Sequence, residues 1–118
     1  MDLEQALLKH EEWKNRFREA IFRQEAMDAD NIGRDDCCEL GRWLHGPGQS
    51  RYGGLSMFQT CVSRHAMFHR EAGRIAGMIN AQRFEQAEQA LEDSAYSVAS
   101  SALAAALAQL RQQTGGKP

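Results

Sequence analysis

The sequence predicts an all-α protein: an antiparallel four-helix bundle with three long helices and one short helix. Three observations carry this. β-Branched residues are scarce, while Ala, Leu, Gln, Glu and Arg are abundant, a composition that favours helix. The only prolines are Pro47 and Pro118, so most of the chain is free of helix breakers. Apolar residues recur at spacings of three and four along extended stretches, the helical period.

The first stretch covers residues 2–26, where Leu3, Leu7, His10, Trp13, Phe17 and Ile21 form one amphipathic stripe. His10 lies on that stripe, away from the charged face of Glu11, Lys14 and Arg18. The segment DADNIGRDD that follows is rich in turn formers. Asp36 and Glu39 then have the spacing of a helix N-cap and its reciprocal partner, so a short helix is expected over residues 37–45. GPGQSRYGG breaks the chain with four glycines and a proline. A long helix is expected over residues 56–80, with Phe58, Cys61 or Val62, His65, His69, Ala72, Ala76 and Ile79 on its buried side. The last, over residues 82–112, carries two apolar lines. Phe84, Ala87, Leu91, Val98 and Ala102 form one; Ala99, Leu103, Leu107 and Leu110 form the other. Two lines on one helix call for more than one neighbour, and a homodimer is expected. Residues 1–112 read as a single domain and 113–118 as a flexible tail.

The 118 residues are 42% apolar and 25% charged with net charge −2, an ordinary globular balance. That balance gives no electrostatic footprint for nucleic acid or an anionic membrane. No apolar run approaches the ~20 residues a membrane-spanning helix needs. The opening Met-Asp-Leu-Glu lacks the basic and apolar regions of a signal peptide, and a cytoplasmic location is expected. Three cysteines, two of them adjacent, are too few for a disulfide scaffold and point to metal binding or thiol chemistry.

His65 and His69, four apart on one helix, emerge from the same face one turn apart and can share one ion. Neutral imidazole and thiolate both suit Zn²⁺, which asks for little beyond a tetrahedron. His10 offers a third donor, and Cys37 or Cys38 a fourth; periodicity does not choose between those two. His45, beside Gly46 and Pro47, reads as a surface or capping residue, and Cys61 as a small core residue. Trp13, Phe17 and Trp43 read as core around the site. Four protein donors close the tetrahedron and leave no position for an activated water, so no enzyme is expected. A di-iron oxygen carrier also uses a His pair at this spacing, but needs bridging carboxylates and more histidines than the four present.

Three stretches also resemble a known family, the chemoreceptor zinc-binding domain. HEEWKNRFREAI (His10 to Ile21), CELGRWLHG (Cys38 to Gly46) and HAMFHREAGRIAGMIN (His65 to Asn80) are similar to its H-x-x-W-K, C-x-L-G-x-W and H-x-x-F-H elements, in order. The resemblance spans roughly residues 2 to 110. It implies that Cys38 is the ligand cysteine, and that His10, Cys38, His65 and His69 hold Zn²⁺, with Cys38 on the short helix. It further implies a four-helix bundle, often dimeric, that acts with a chemoreceptor or a diguanylate cyclase. Zinc occupancy, or oxidation of its cysteine by hypochlorous acid, would then alter signalling. No receptor hairpin or cyclase domain reads within these residues, so a stand-alone member or one piece of a longer protein is expected. The alternative is a structural or zinc-buffering helical protein without a signalling role.

Overall fold

The computed structural model describes residues 1–115, and among these every regular element is helical. Seven helices follow in order: α1 (Leu3–Arg23), α2 (Ala29–Ile32), α3 (Glu39–Leu44), α4 (Pro47–Tyr52), α5 (Ser56–Asn80), α6 (Phe84–Glu92) and α7 (Ser94–Gln113). No helix among the described residues is long and apolar enough to cross a membrane. Of the expected tail, residues 116–118 lie outside the described residues, whereas Gln113 still belongs to α7.

Helix α1 starts at Asp2, whose carboxylate accepts the Gln5 N–H at 3.1 Å. It stops earlier than the expected residue 26. Gln24 turns into the left-handed region (φ 55°), and the Glu25 and Gln24 amides close back onto the Ala20 and Ile21 carbonyls. Helix α5 ends the same way. Gln82 takes φ 62°, and the Arg83 and Gln82 amides return to Met78 and Ile79.

The segment between these long helices is more ordered than its turn-rich sequence suggests. Asp28 caps α2, accepting from the Asn31 amide, and Pro47 opens α4 at its first position, where no N–H is needed. Residues 24–55 also return the chain to the end it started from. Contacts of His10 with His65, and of Met27 with Asn80, show that α1 and α5 run in the same direction. The first and third helices of an up-down-up-down bundle run this way as well. Ion pairs from Glu4 to Arg111, near the end of α7, and from Arg18 to Glu92, the residue that closes α6 just before α7 begins, lay α7 antiparallel to α1.

The expected final helix is two. Asp93 adopts an extended backbone (ψ 156°) and caps α7 by accepting from the Ser94 amide at 2.7 Å. The two apolar lines therefore belong to different helices in part, and Val98, placed on the first, is 62% exposed. The core lies between α1, α5 and α7, with the most extensive packing between α5 and α7. Phe17, Phe58, Phe68, Leu103 and Leu107 are fully buried there. Each contributes about 1.5–3 kcal/mol of apolar transfer. Leu40 and Leu44 anchor α3 to this core.

Candidate metal centre

The donor atoms of His10, Cys38, His65 and His69 converge within 4.8 Å of one another, from three elements. His10 comes from the second turn of α1, and His65 and His69 from the middle of α5. Cys38 is the residue that caps α3. The expected cap was Asp36, but that carboxylate turns away to pair with Arg34 at 3.0 Å. The Cys38 sulfur instead accepts the Gly41 N–H at 3.3 Å. Gly41 is required there: a Cβ on it would collide with the Asp35 carbonyl, so the glycine lets the 35–38 backbone fold close over α3.

The six separations describe a tetrahedron. The three Nε2 atoms lie 3.2 Å (His10–His65), 3.3 Å (His10–His69) and 3.0 Å (His65–His69) apart. Cys38 Sγ lies 3.8, 3.3 and 3.5 Å from the Nε2 atoms of His10, His65 and His69. A tetrahedral ion with N at ~2.0–2.1 Å and S at ~2.3 Å has edges of about 3.3 Å (N–N) and about 3.6 Å (N–S). The donor set therefore fits a four-coordinate zinc in chemistry and in spacing.

Tautomers support the same reading. His10 Nδ1–H donates to the Ala6 carbonyl at 2.7 Å, and His69 Nδ1–H to the Ile32 carbonyl at 2.8 Å. A carbonyl can only accept, so both rings present a bare lone pair at Nε2. Two lone pairs facing each other at this distance repel unless a cation lies between them. His65 Nδ1 is buried with no hydrogen-bond partner among the described residues, so packing orients that ring. Phe68, fully buried, meets His10 and His69 edge-on with centroids 5.3 and 5.5 Å apart, a dry floor beneath the donors.

Burial holds all three imidazoles below the ordinary histidine range, with His65 lowered to about 2 by burial and by the neighbouring His69 and His10. They are neutral at pH 7, as ligation requires. Burial pushes the Cys38 thiol up, and the amides of Gly41, Cys38 and Leu40 only partly oppose it. A cation beside the sulfur reverses that balance.

Cys38 is the accessible member of the set. The three histidines are at most 5% exposed, whereas Cys38 is half-buried between two grooves. The first, about 580 Å³, is lined by Met27, Asn31, Cys37 and His69; the second, about 370 Å³, by Gln5, Lys9 and Glu12. Trp13 and Arg16 line both, the guanidinium lying 3.9 Å from the centre of the indole ring.

The remaining residues with ligand chemistry stay apart from the cluster. Cys61 is fully buried core, Cys37 is exposed, and His45 caps α3 and pairs with Asp35 at 3.1 Å. Phe17 is core, and Trp13 and Trp43 pack on its edge. Sequence reasoning did not find the orienting carbonyls. Ala6 was legible in principle, four residues before His10 on the same helix. Ile32 has no sequence signal, because its approach to His69 depends on how α2 docks.

No curated protein and no solved structure matches the chain at a significant level. The family model of the chemoreceptor zinc-binding domain matches residues 10–76, more than half of the chain and the stretch that contains all four donors. The chain therefore belongs to the chemoreceptor zinc-binding domain family.

Proposed function

We propose that this chain is a regulatory zinc-binding module in which His10, Cys38, His65 and His69 hold Zn²⁺ and Cys38 is the oxidant-sensitive donor. The observation that carries this reading is the tetrahedral spacing of four donor atoms with two imidazoles locked in the ligating tautomer. Bound zinc would supply a fixed positive charge, favouring thiolate at Cys38 and tying α1, α5 and the start of α3 together. The Ala6 and Ile32 carbonyls aim the rings, Phe68 keeps water from beneath them, and the two grooves let a small oxidant reach the sulfur. With hypochlorous acid the Cys38 thiolate becomes a sulfenic acid, and chloride leaves with the electron pair. A sulfenic acid is a poorer donor, so α3 loses its tie to the histidines, keeps Leu40 and Leu44 in the core, Trp43 against Phe58 and the Lys9–Glu39 ion pair, and moves.

In this reading residues 1–112 act as one domain, a four-helix bundle of the three long helices and α3. It works in the cytoplasm as a binding module and not as an enzyme, since four protein donors leave no open position. The partner is a chemoreceptor or a diguanylate cyclase, joined to it or separate. A homodimer would cover Leu8, Phe22 and Val98, all exposed apolar side chains on α1 and α7.

Metal analysis of the purified chain beside Cys38→Ala, with helicity followed as chelator is added, tests the proposal. The expected result is one zinc per chain, weaker retention in the variant, and most helix surviving zinc removal. Equal zinc in both proteins would sink the site. Complete unfolding on chelation would instead favour the structural or buffering reading.

A further inference from the structure

The zinc site as proposed is closed and three of its donors are buried, which leaves open how an ion gets in and out. Resting on that reading, we infer that Cys37 is the exchange thiol of the site: it takes the metal as Cys38 lets go, and hands it on through the groove they share.

Two independent observations carry this. One is the groove itself, which runs from solvent to His69 and Cys38 and has Cys37 on its wall. The other is the bare lone pairs that His10 and His69 direct at one point, which mark where a cation belongs. A closed tetrahedron exchanges by ligand replacement, since no fifth position is open. Cys38 is the one half-buried donor, hence the one an outside ligand can displace. Cys37 is its chain neighbour and is exposed. Among the described residues the Cys37 sulfur has only long hydrogen bonds, 3.6 Å to Asp36 Oδ1 and 3.7 Å to Asn31 Oδ1, which are given up at little cost. When the Cys37 sulfur leaves, the Asp36 carboxylate keeps Arg34, and the Asn31 side-chain N–H keeps its bond to Asp28. In the exchange a metal–sulfur bond forms at Cys37 as the one at Cys38 breaks. The Cys37 thiol gives up a proton and the departing Cys38 thiolate takes one, so charge is conserved.

The groove also suits a cation. Glu19, Glu25 and Asp28 line it against the single guanidinium of Arg16, which lies over Trp13, although Glu19 is also paired with Arg23. That negative balance draws a divalent ion toward the thiols.

The test measures zinc content and the rate of zinc transfer to a chromophoric chelator for the wild-type chain, Cys37→Ala and Cys37→Ser. All three are expected to hold one zinc per chain. Both variants are expected to release it about tenfold more slowly, a barrier higher by about 1.4 kcal/mol. A free small thiol should restore the rate in Cys37→Ala, which a merely structural role for Cys37 would not allow. One zinc per chain with an unchanged or faster rate overturns the role of Cys37 and leaves the site standing. A wild-type chain that holds no zinc overturns both.

Discussion

Replacing Gly73 by alanine should damage the metal centre from a distance. Gly73 lies on α5, where its backbone meets Gly33 at the end of α2. A Cβ there would come within 2.6 Å of Gly33 Cα and 3.1 Å of Gly33 N, backbone atoms that cannot rotate aside. Carbon atoms pack best at about 3.5–4.0 Å, so α2 must retreat by roughly 1 Å. The residue before Gly33 is Ile32, whose carbonyl holds His69 Nδ1–H at 2.8 Å. A retreat of that size takes the bond past the usual limit of about 3.2 Å and leaves a buried N–H unpaired. Overpacking costs about 1–3 kcal/mol, and the orphaned donor about 1–3 kcal/mol. Against these, alanine gains about 0.5–1 kcal/mol over glycine in a helix. A net loss of about 2 kcal/mol or more is expected in urea unfolding. Loss of the ring-orienting partner should also weaken zinc binding by about 10–100-fold, read by chelator competition. Gly77→Ala, one turn along the same helix, meets nothing within 4 Å and serves as the control. It should raise stability slightly and leave zinc affinity unchanged. If Gly73→Ala loses stability but binds zinc as the wild type does, the Ile32 carbonyl does not set His69 and the reasoning fails.

Three other outcomes follow from named groups. Phe68→Ala should lower stability by about 3–5 kcal/mol, measured by urea unfolding of metal-free protein, because it empties a fully buried site; a loss well below 2 kcal/mol would show the floor to be loosely packed. Cys61 is fully buried and its thiol is pushed up to about 11, so iodoacetamide at pH 8 should label Cys37 and spare Cys61 until the chain unfolds. Mass spectrometry of labelled peptides decides this, and early modification of Cys61 would count against the core assignment. For pH, the three site imidazoles are held below their unfolded value, so the unfolded chain binds more protons as pH falls below about 6.5. The metal-free chain should therefore be less stable at pH 5.5 than at 7.5, and flat above about 7 as far as these groups are concerned. An unfolding midpoint that holds steady between the two would contradict their burial as neutral rings.

How far the sequence reaches can be seen residue by residue. The limits of α5 were legible as residues 56–80 because its apolar stripe is long and unbroken. The convergence of His10, Cys38, His65 and His69 was legible from stripe position and from the family elements that contain them. Periodicity could not separate Cys37 from Cys38, since the choice depends on which sulfur receives the Gly41 amide. The end of α1 was obscure for another reason. It closes on Gln24 in the left-handed region, a place where glycine is the usual signal. The break at Asp93 was hidden by the alanine-rich, helix-favouring residues on both sides. Helices α2 and α4 are four and six residues long, too short for a period to declare itself, and only the Asp28 cap and Pro47 mark them. The same direction of α1 and α5 was implied by an up-down-up-down order with a short second helix, whereas the docking of α2 on α5 is a tertiary property with no local signature.

The central claim is that three imidazoles and one thiolate meet at one point. X-ray absorption at the zinc edge of the loaded wild-type chain tests it most directly. The expected spectrum has three nitrogen scatterers at about 2.0–2.1 Å and one sulfur at about 2.3 Å. A shell of nitrogen and oxygen alone, or one with two sulfurs, would contradict the site as assigned.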